Sequence, residues 1–146
     1  MDASIPIDRS ARFGAEAAPL STARVWTGRV LTALTVLFMV FDAVGKLVMP
    51  VQVVQACARI GFPISLSLAL GIILLVATLA YAVPRTAVLG AVLLTGYLGG
   101  AVAIQMRAGS PVFETVFPAI FGLVAWAGVY LRDGRLAELL PLVSKR

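Results

Sequence analysis

Asp42 and Lys46 stand four residues apart in FMVFDAVGKL, residues 38–47, at the end of an apolar run long enough to cross a bilayer. Acid before base at this spacing places both on one helix face in the favourable order for an ion pair. A charge near the bilayer centre costs several kcal/mol, whereas one that reaches a partner or the interface costs far less. Asp42 lies about 20 Å beyond Arg29 along a helix axis, so the pair belongs to the outer part of its span. Antiparallel threading of further spans would bring Gln105, Arg107, Arg59 and Glu114 to the same level, with Tyr97 and Thr95 deeper. Asp42, Lys46, Gln105, Arg107 and Glu114 are therefore candidates for a polar, outward-facing pocket over an apolar shaft, the usual form of a small-molecule site. The competing reading is a self-neutralising pair that ends the span, with Lys46 extending outward and Arg59 and Arg107 as interfacial anchors. Both readings stand at this level.

Other chemistry is narrowed by what the chain lacks. It has no histidine, which removes the commonest general base, metal ligand and axial haem ligand. Its single cysteine, Cys57, allows neither an intrachain disulfide nor a CxxC redox pair. No nucleophile motif, phosphate-binding glycine loop, metal-ligand cluster or paired carboxylate site is present. No catalytic residue and no metal ligand are assigned, no cofactor is expected to be bound by this chain, and catalysis by the chain alone is not expected. Contact with quinone or lipid stays open.

The elements that must position the polar residues follow from composition. Sixty per cent of the 146 residues are hydrophobic, 13% are charged, and the mean hydropathy is +0.99. The apolar residues come in blocks, not in single-face patterns, and four blocks reach the length of about 17–25 residues that a membrane helix needs. They run from Arg24 to Val44, Pro63 to Ala82, Thr86 to Met106 and Val112 to Leu131. The fold class predicted is all-α: an integral-membrane, antiparallel four-helix bundle occupying residues 24–131. The first loop, MPVQVVQACARIGFP, adds an amphipathic interfacial helix with Val51, Val54, Ala58 and Ile60 near its apolar face. Pro50 would start it, and Gly61 with Pro63 would end it.

Nine of the 12 Lys and Arg fall on the side shared by the N-terminus, the second loop and the C-terminus: Arg9, Arg12, Arg24, Arg29, Arg85, Arg132, Arg135, Lys145 and Arg146. Lys46, Arg59 and Arg107 fall opposite. That bias predicts a multi-pass protein with both termini cytoplasmic, and it accounts for the net charge of +5 without a nucleic-acid partner. Residues 1–23 read as a polar cytoplasmic tail with no cleavable signal, so the first span is expected to act as the targeting signal. Residues 132–146, in LRDGRLAELLPLVSKR, read as an amphipathic cytoplasmic segment. Trp26, Trp126, Tyr130 and Tyr81 are most simply aromatic-belt residues.

The link between the second and third spans is only VPR, which makes those helices antiparallel neighbours. The third span carries small residues at every fourth position, Ala87, Ala91, Thr95, Gly99 and Ala103, and a GxxxG pair, Gly96 and Gly100. Such a face lets another helix approach closely, since packing drives helix association in lipid. An intrachain packing face and a homodimer seam are both consistent with it.

FDAVGKL, the run VPRTAVLGAVLLTGYLGGAVAIQMR, and Trp126 followed by LRDGRL together resemble the DoxX-like family of small bacterial membrane proteins, over about Trp26 to Pro141. The string PR-x-x-x-LGA-x-LL-x-GYLGGAVA is the most specific part. The resemblance implies a four-helix membrane bundle in the bacterial cytoplasmic membrane. The family takes its name from a subunit of a quinone-linked, thiosulfate-oxidising system, and distant eukaryotic relatives look like chaperones for membrane receptors. Relatives often carry histidine where this chain has Gln105, and an amide does not titrate. The function expected is an accessory or structural subunit of a larger membrane assembly, redox or respiratory, without a redox centre of its own. An assembly or chaperone factor for other membrane proteins is the alternative, and a quinone-linked oxidoreductase subunit the third choice. The partners expected are membrane lipid and a larger membrane protein complex.

Overall fold

The computed structural model describes residues 21–134 and 136. Most of the tail expected over 1–23 and most of the segment expected over 132–146 lie outside them. The described residues form five α-helices: α1, Thr22–Val48; α2, Val51–Arg59; α3, Ser67–Ala82; α4, Ala87–Arg107; and α5, Val112–Arg132. A single 3-10 turn, Ile64–Leu66, leads into α3. Four of these elements are long and apolar enough to cross a membrane: α1, Ile64–Ala82, α4 and α5. The protein is a multi-pass, all-helical membrane bundle.

Each boundary has a local cause. The Ser21 hydroxyl caps α1 by accepting from the Arg24 N–H. α1 runs 27 residues, about 40 Å at 1.5 Å per residue, so it continues one turn past the expected end at Val44 and carries Asp42 and Lys46 within it. Met49, with φ 51°, stops it by donating its N–H to Gly45 O at 2.9 Å. Pro50 precedes α2, and Gly61, with φ +63°, turns the chain after it. Between α3 and α4 the Thr86 hydroxyl donates to Ala80 O at 2.7 Å and closes the short turn. Pro118 within α5 lacks the N–H that would reach the Glu114 carbonyl.

The four long helices pack as a ring, α1 against α3 and α5, and α4 against α3 and α5. The surface is as apolar as the core: Leu37, Phe41 and Leu123 are 70%, 76% and 72% exposed. That distribution suits lipid, where burial itself provides no driving force and close packing must hold the helices together. Much of the core is small, with Ala43, Ala77, Ala87, Ala91 and Ala125 buried beside Met39, Leu74, Leu94, Leu98 and Val129. The hydroxyls of Thr32, Thr35, Thr78 and Thr95 donate to carbonyls four residues earlier, which satisfies polar groups that have no water to turn to.

The closest approaches of helix backbones are at the end of the bundle that contains Tyr81, although toward the other end a Cβ on Gly71 would also lie 3.1 Å from Lys46 Cβ. A Cβ on Gly28 would lie 3.0 Å from Gly128 O and from Arg132 N, and one on Gly128 would lie 2.9 Å from Thr32 Oγ1. A Cβ on Gly90 would overlap the backbone of Tyr81. At Gly90 only glycine fits, and at Gly28 and Gly128 a methyl group would push its neighbours aside. Tyr81, expected in the aromatic belt, is instead fully buried and donates its hydroxyl to Ala125 O at 2.9 Å. Pointing inward satisfies the phenol and fills the space between α3 and α5. Trp126 likewise departs from the belt: its Nε1 donates to Thr95 Oγ1 at 2.9 Å, joining α5 to α4. Trp26 stays exposed beneath the Arg29 guanidinium, and Arg24 lies over the Tyr130 ring.

Candidate functional site

At the opposite end the helices leave a cavity of about 580 Å³, within the range of small-molecule sites. α1 contributes Phe38, Met39, Asp42 and Lys46 to its wall, all on one side of the helix. α4 contributes Gly96, Tyr97, Gly100, Ala101, Ile104 and Gln105. Phe117, Pro118 and Phe121 of α5 and Leu70 and Ile73 of α3 complete the sides.

Asp42 and Lys46 form an ion pair at 2.5 Å, with side chains 37% and 23% exposed. The paired charges cost less at this depth than either alone. The Lys46 ammonium also lies 6.0 Å from the centre of the Tyr97 ring, within reach of a cation–π attraction. Gln105 lines the same cavity, and its Oε1 accepts from the Ser110 hydroxyl at 2.9 Å. Ser67 Oγ, at the mouth of α3, donates to Lys46 O at 3.3 Å. Deeper, Phe38 stacks on Phe121 at 4.0 Å between ring centres, and Phe117 lies 5.1 Å from Phe121. The cavity is thus polar at one end and aromatic at the other.

The five-residue polar cluster divides in two. Asp42, Lys46 and Gln105 come together in the cavity wall, whereas Arg107 and Glu114 do not line it. Glu114 pairs with Arg59 at 2.9 Å, and Arg107 donates to Gly61 O in a long bond of 3.5 Å. These two residues strap the end of α2 and the loop after it to α4 and α5. Their distance along the chain from Asp42 gave no sign of this, because helix register alone put all five at one level.

α2 has a second apolar side besides the expected one. Val53, Ala56, Cys57 and Ile60 face the cavity, while Val51, Val54 and Ala58 are exposed. The helix has two apolar sides and a narrow polar strip of Gln52, Gln55 and Arg59, and the face expected from the sequence is, apart from Ile60, the side turned away from the bundle.

The small residues of α4 separate in the same manner. Ala87 and Ala91 are buried, but Thr95, Gly96, Gly99, Gly100 and Ala103 are exposed. A Cβ on Gly96, Gly99 or Gly100 would meet nothing within 4 Å. Intrachain packing therefore accounts for Ala87 and Ala91, and Thr95 meets α5 through its bond with Trp126, while Gly96, Gly99 and Gly100 leave open space beside them. The aromatic floor was not anticipated, although Phe113, Phe117 and Phe121 recur at every fourth residue, a spacing that places three rings on one helix face.

Residues 30–128 match the model of the DoxX-like family, a stretch that contains every cavity-lining residue. No curated protein and no solved structure matches the chain. The chain belongs to the DoxX-like family.

Proposed function

We propose, with membership of the DoxX-like family as the premise, that this protein is an accessory subunit of a larger membrane assembly. In that role it supplies a cavity for a quinone or lipid and holds no redox centre of its own. The observation that carries the reading is the cavity's polarity: the Asp42–Lys46 pair and Gln105 at one end, and the stacked Phe38 and Phe121 at the other. A molecule with a polar head and an apolar body matches that gradient. In α4, Thr95, Gly99 and Ala103 follow one another at four-residue spacing on an exposed face, which offers a neighbouring membrane helix a close approach.

A bacterial cytoplasmic membrane location with both termini inside is part of this reading, and the nine-to-three distribution of Lys and Arg supports that orientation. The Tyr81 end then lies near the cytoplasm, the cavity near the outer surface, and α2 along the outer interface with its exposed apolar side, Val51, Val54 and Ala58, toward lipid.

The test is purification of the full chain in mild detergent with identification of what accompanies it. Stoichiometric redox subunits are expected. Transient, substoichiometric association with many membrane proteins would favour an assembly factor instead. Bound haem, or quinone reduction by the isolated chain, would overturn the accessory role.

A further inference from the structure

The cavity's polar end and its opening are in different places. Gly96 and Gly100 line the cavity and are exposed, and so does Ile73 on α3, which is 55% exposed. These positions lie about 10–16 Å from the Arg107 end of α4 at 1.5 Å per residue, inside the hydrocarbon layer of a bilayer about 30 Å thick. At Gly96 and Gly100 the α4 backbone carries no side chain, and a Cβ there would meet nothing within 4 Å. An opening at that depth faces lipid tails, not water.

The chemistry at the polar end selects what enters. The charged residues in the cavity wall, Asp42 and Lys46, neutralise each other, so a charged head group would find no free counter-ion in that wall, and burying an unpaired charge is strongly unfavourable. Besides the Lys46 N–H groups not used by Asp42, two neutral donors remain in the wall. The Tyr97 hydroxyl and the Gln105 amide nitrogen have no hydrogen-bond acceptor among the described residues, although both side chains line the cavity. Unsatisfied donors in an apolar setting favour a ligand that brings acceptor oxygens.

We propose that the cavity takes a neutral, oxygen-bearing amphiphile directly from the bilayer, through a lateral opening between α3 and α4 at Gly96 and Gly100. The inference rests on the reading of the cavity as an amphiphile site and adds the head-group class and the route. The head group meets Asp42, Lys46, Tyr97 and Gln105, the body lies against Phe38, Phe117 and Phe121, and the tail passes over the two glycines into the membrane. An acylglycerol and a prenylated quinone share this chemistry.

The experiment uses the full chain in phosphatidylcholine vesicles with three photoactivatable probes of equal chain length: a monoacylglycerol, a fatty acid and an alkylamine. The monoacylglycerol is expected to label peptides containing Phe38, Phe117 or Phe121, and the two charged probes are not. Unlabelled acylglycerol and prenylated quinone, added separately, compete, and the stronger competitor identifies the natural source. Gly96→Leu/Gly100→Leu should abolish labelling of those peptides, and Ile73→Trp, which narrows the gap from α3, should reduce it. Gly99→Leu, on the same helix but outside the cavity, should leave it unchanged. Wild-type labelling in the Gly96→Leu/Gly100→Leu and Ile73→Trp chains overturns the route while leaving the cavity reading intact. Preference for the fatty acid or the amine overturns the head-group class. Absence of cavity labelling by every probe removes both the proposal and the reading beneath it. Cross-linking of two chains across Gly96 and Gly100 makes the gap a helix interface and also overturns the proposal.

Discussion

The two ends of this bundle use glycine in opposite ways. At the Tyr81 end, Gly28, Gly90 and Gly128 bring backbones so close that a methyl group has no room unless its neighbours move. At the Asp42 end Gly71 still packs against α1, but Gly96, Gly99 and Gly100 of α4 stand in open space beside a cavity of about 580 Å³. One end is held by contact, with Tyr81 and the buried threonines satisfying their hydroxyls internally. The other is held by straps, Arg59–Glu114 and Arg107 to the Gly61 carbonyl, which leave the interior accessible. In lipid, where apolar area is no measure of stability, the closeness of helix backbones separates a locked region from one that can accept a guest.

The sharpest way to break this contrast is to put the same side chain at both ends. Gly90→Leu should prevent accumulation of folded protein, because its Cβ would overlap the Tyr81 backbone, and only separation of α3 from α4 relieves that. Gly96→Leu/Gly100→Leu should elute from size exclusion as wild type does. Equal behaviour of the two would remove the distinction.

Next in size is the ion pair at the open end. Asp42→Asn leaves Lys46 without its carboxylate and should lower stability by about 1–3 kcal/mol. Adding Lys46→Met should restore much of the loss, and a thermal-denaturation double-mutant cycle reads the coupling. Additive losses would show that the two side chains act independently.

At the tight end, Gly128→Ala forces a methyl to 2.9 Å from Thr32 Oγ1 and 3.0 Å from Tyr81 Oη, and overpacking of this kind costs about 1–3 kcal/mol. Tyr81→Phe removes the hydrogen bond to Ala125 O and should cost about 1 kcal/mol. The smallest change is expected at Gly99→Ala, where a Cβ meets nothing within 4 Å and the gain in helix propensity is at most about 1 kcal/mol. Melting temperatures in one detergent rank all three variants.

The spans were legible because hydropathy over about 20 residues is dictated by the bilayer, whatever the neighbours are. The antiparallel α3–α4 pair followed from a link too short for any other arrangement. What the sequence did not reveal depends on helix rotation. Gly90 and Gly96 are the same residue in the same span, yet only the first meets another backbone. Tyr81 has the composition of a belt residue, and its inward turn is set by the carbonyl of Ala125 on a helix more than 40 residues away. In α2, two apolar sides of similar strength flank one polar strip, and the cavity decides between them. Within the polar cluster, Asp42 with Lys46 was readable from spacing, while the separation of Arg107 and Glu114 into straps required the path of the loop around Gly61.

Cys57 is the chain's only cysteine, and it lines the cavity, so the unmodified protein carries its own reporter. The most direct test is the rate at which N-ethylmaleimide alkylates Cys57 in vesicle-embedded protein, with and without monoacylglycerol. If the open end holds a guest as described, monoacylglycerol slows alkylation and a fatty acid of the same length does not. An alkylation rate indifferent to both would contradict the account.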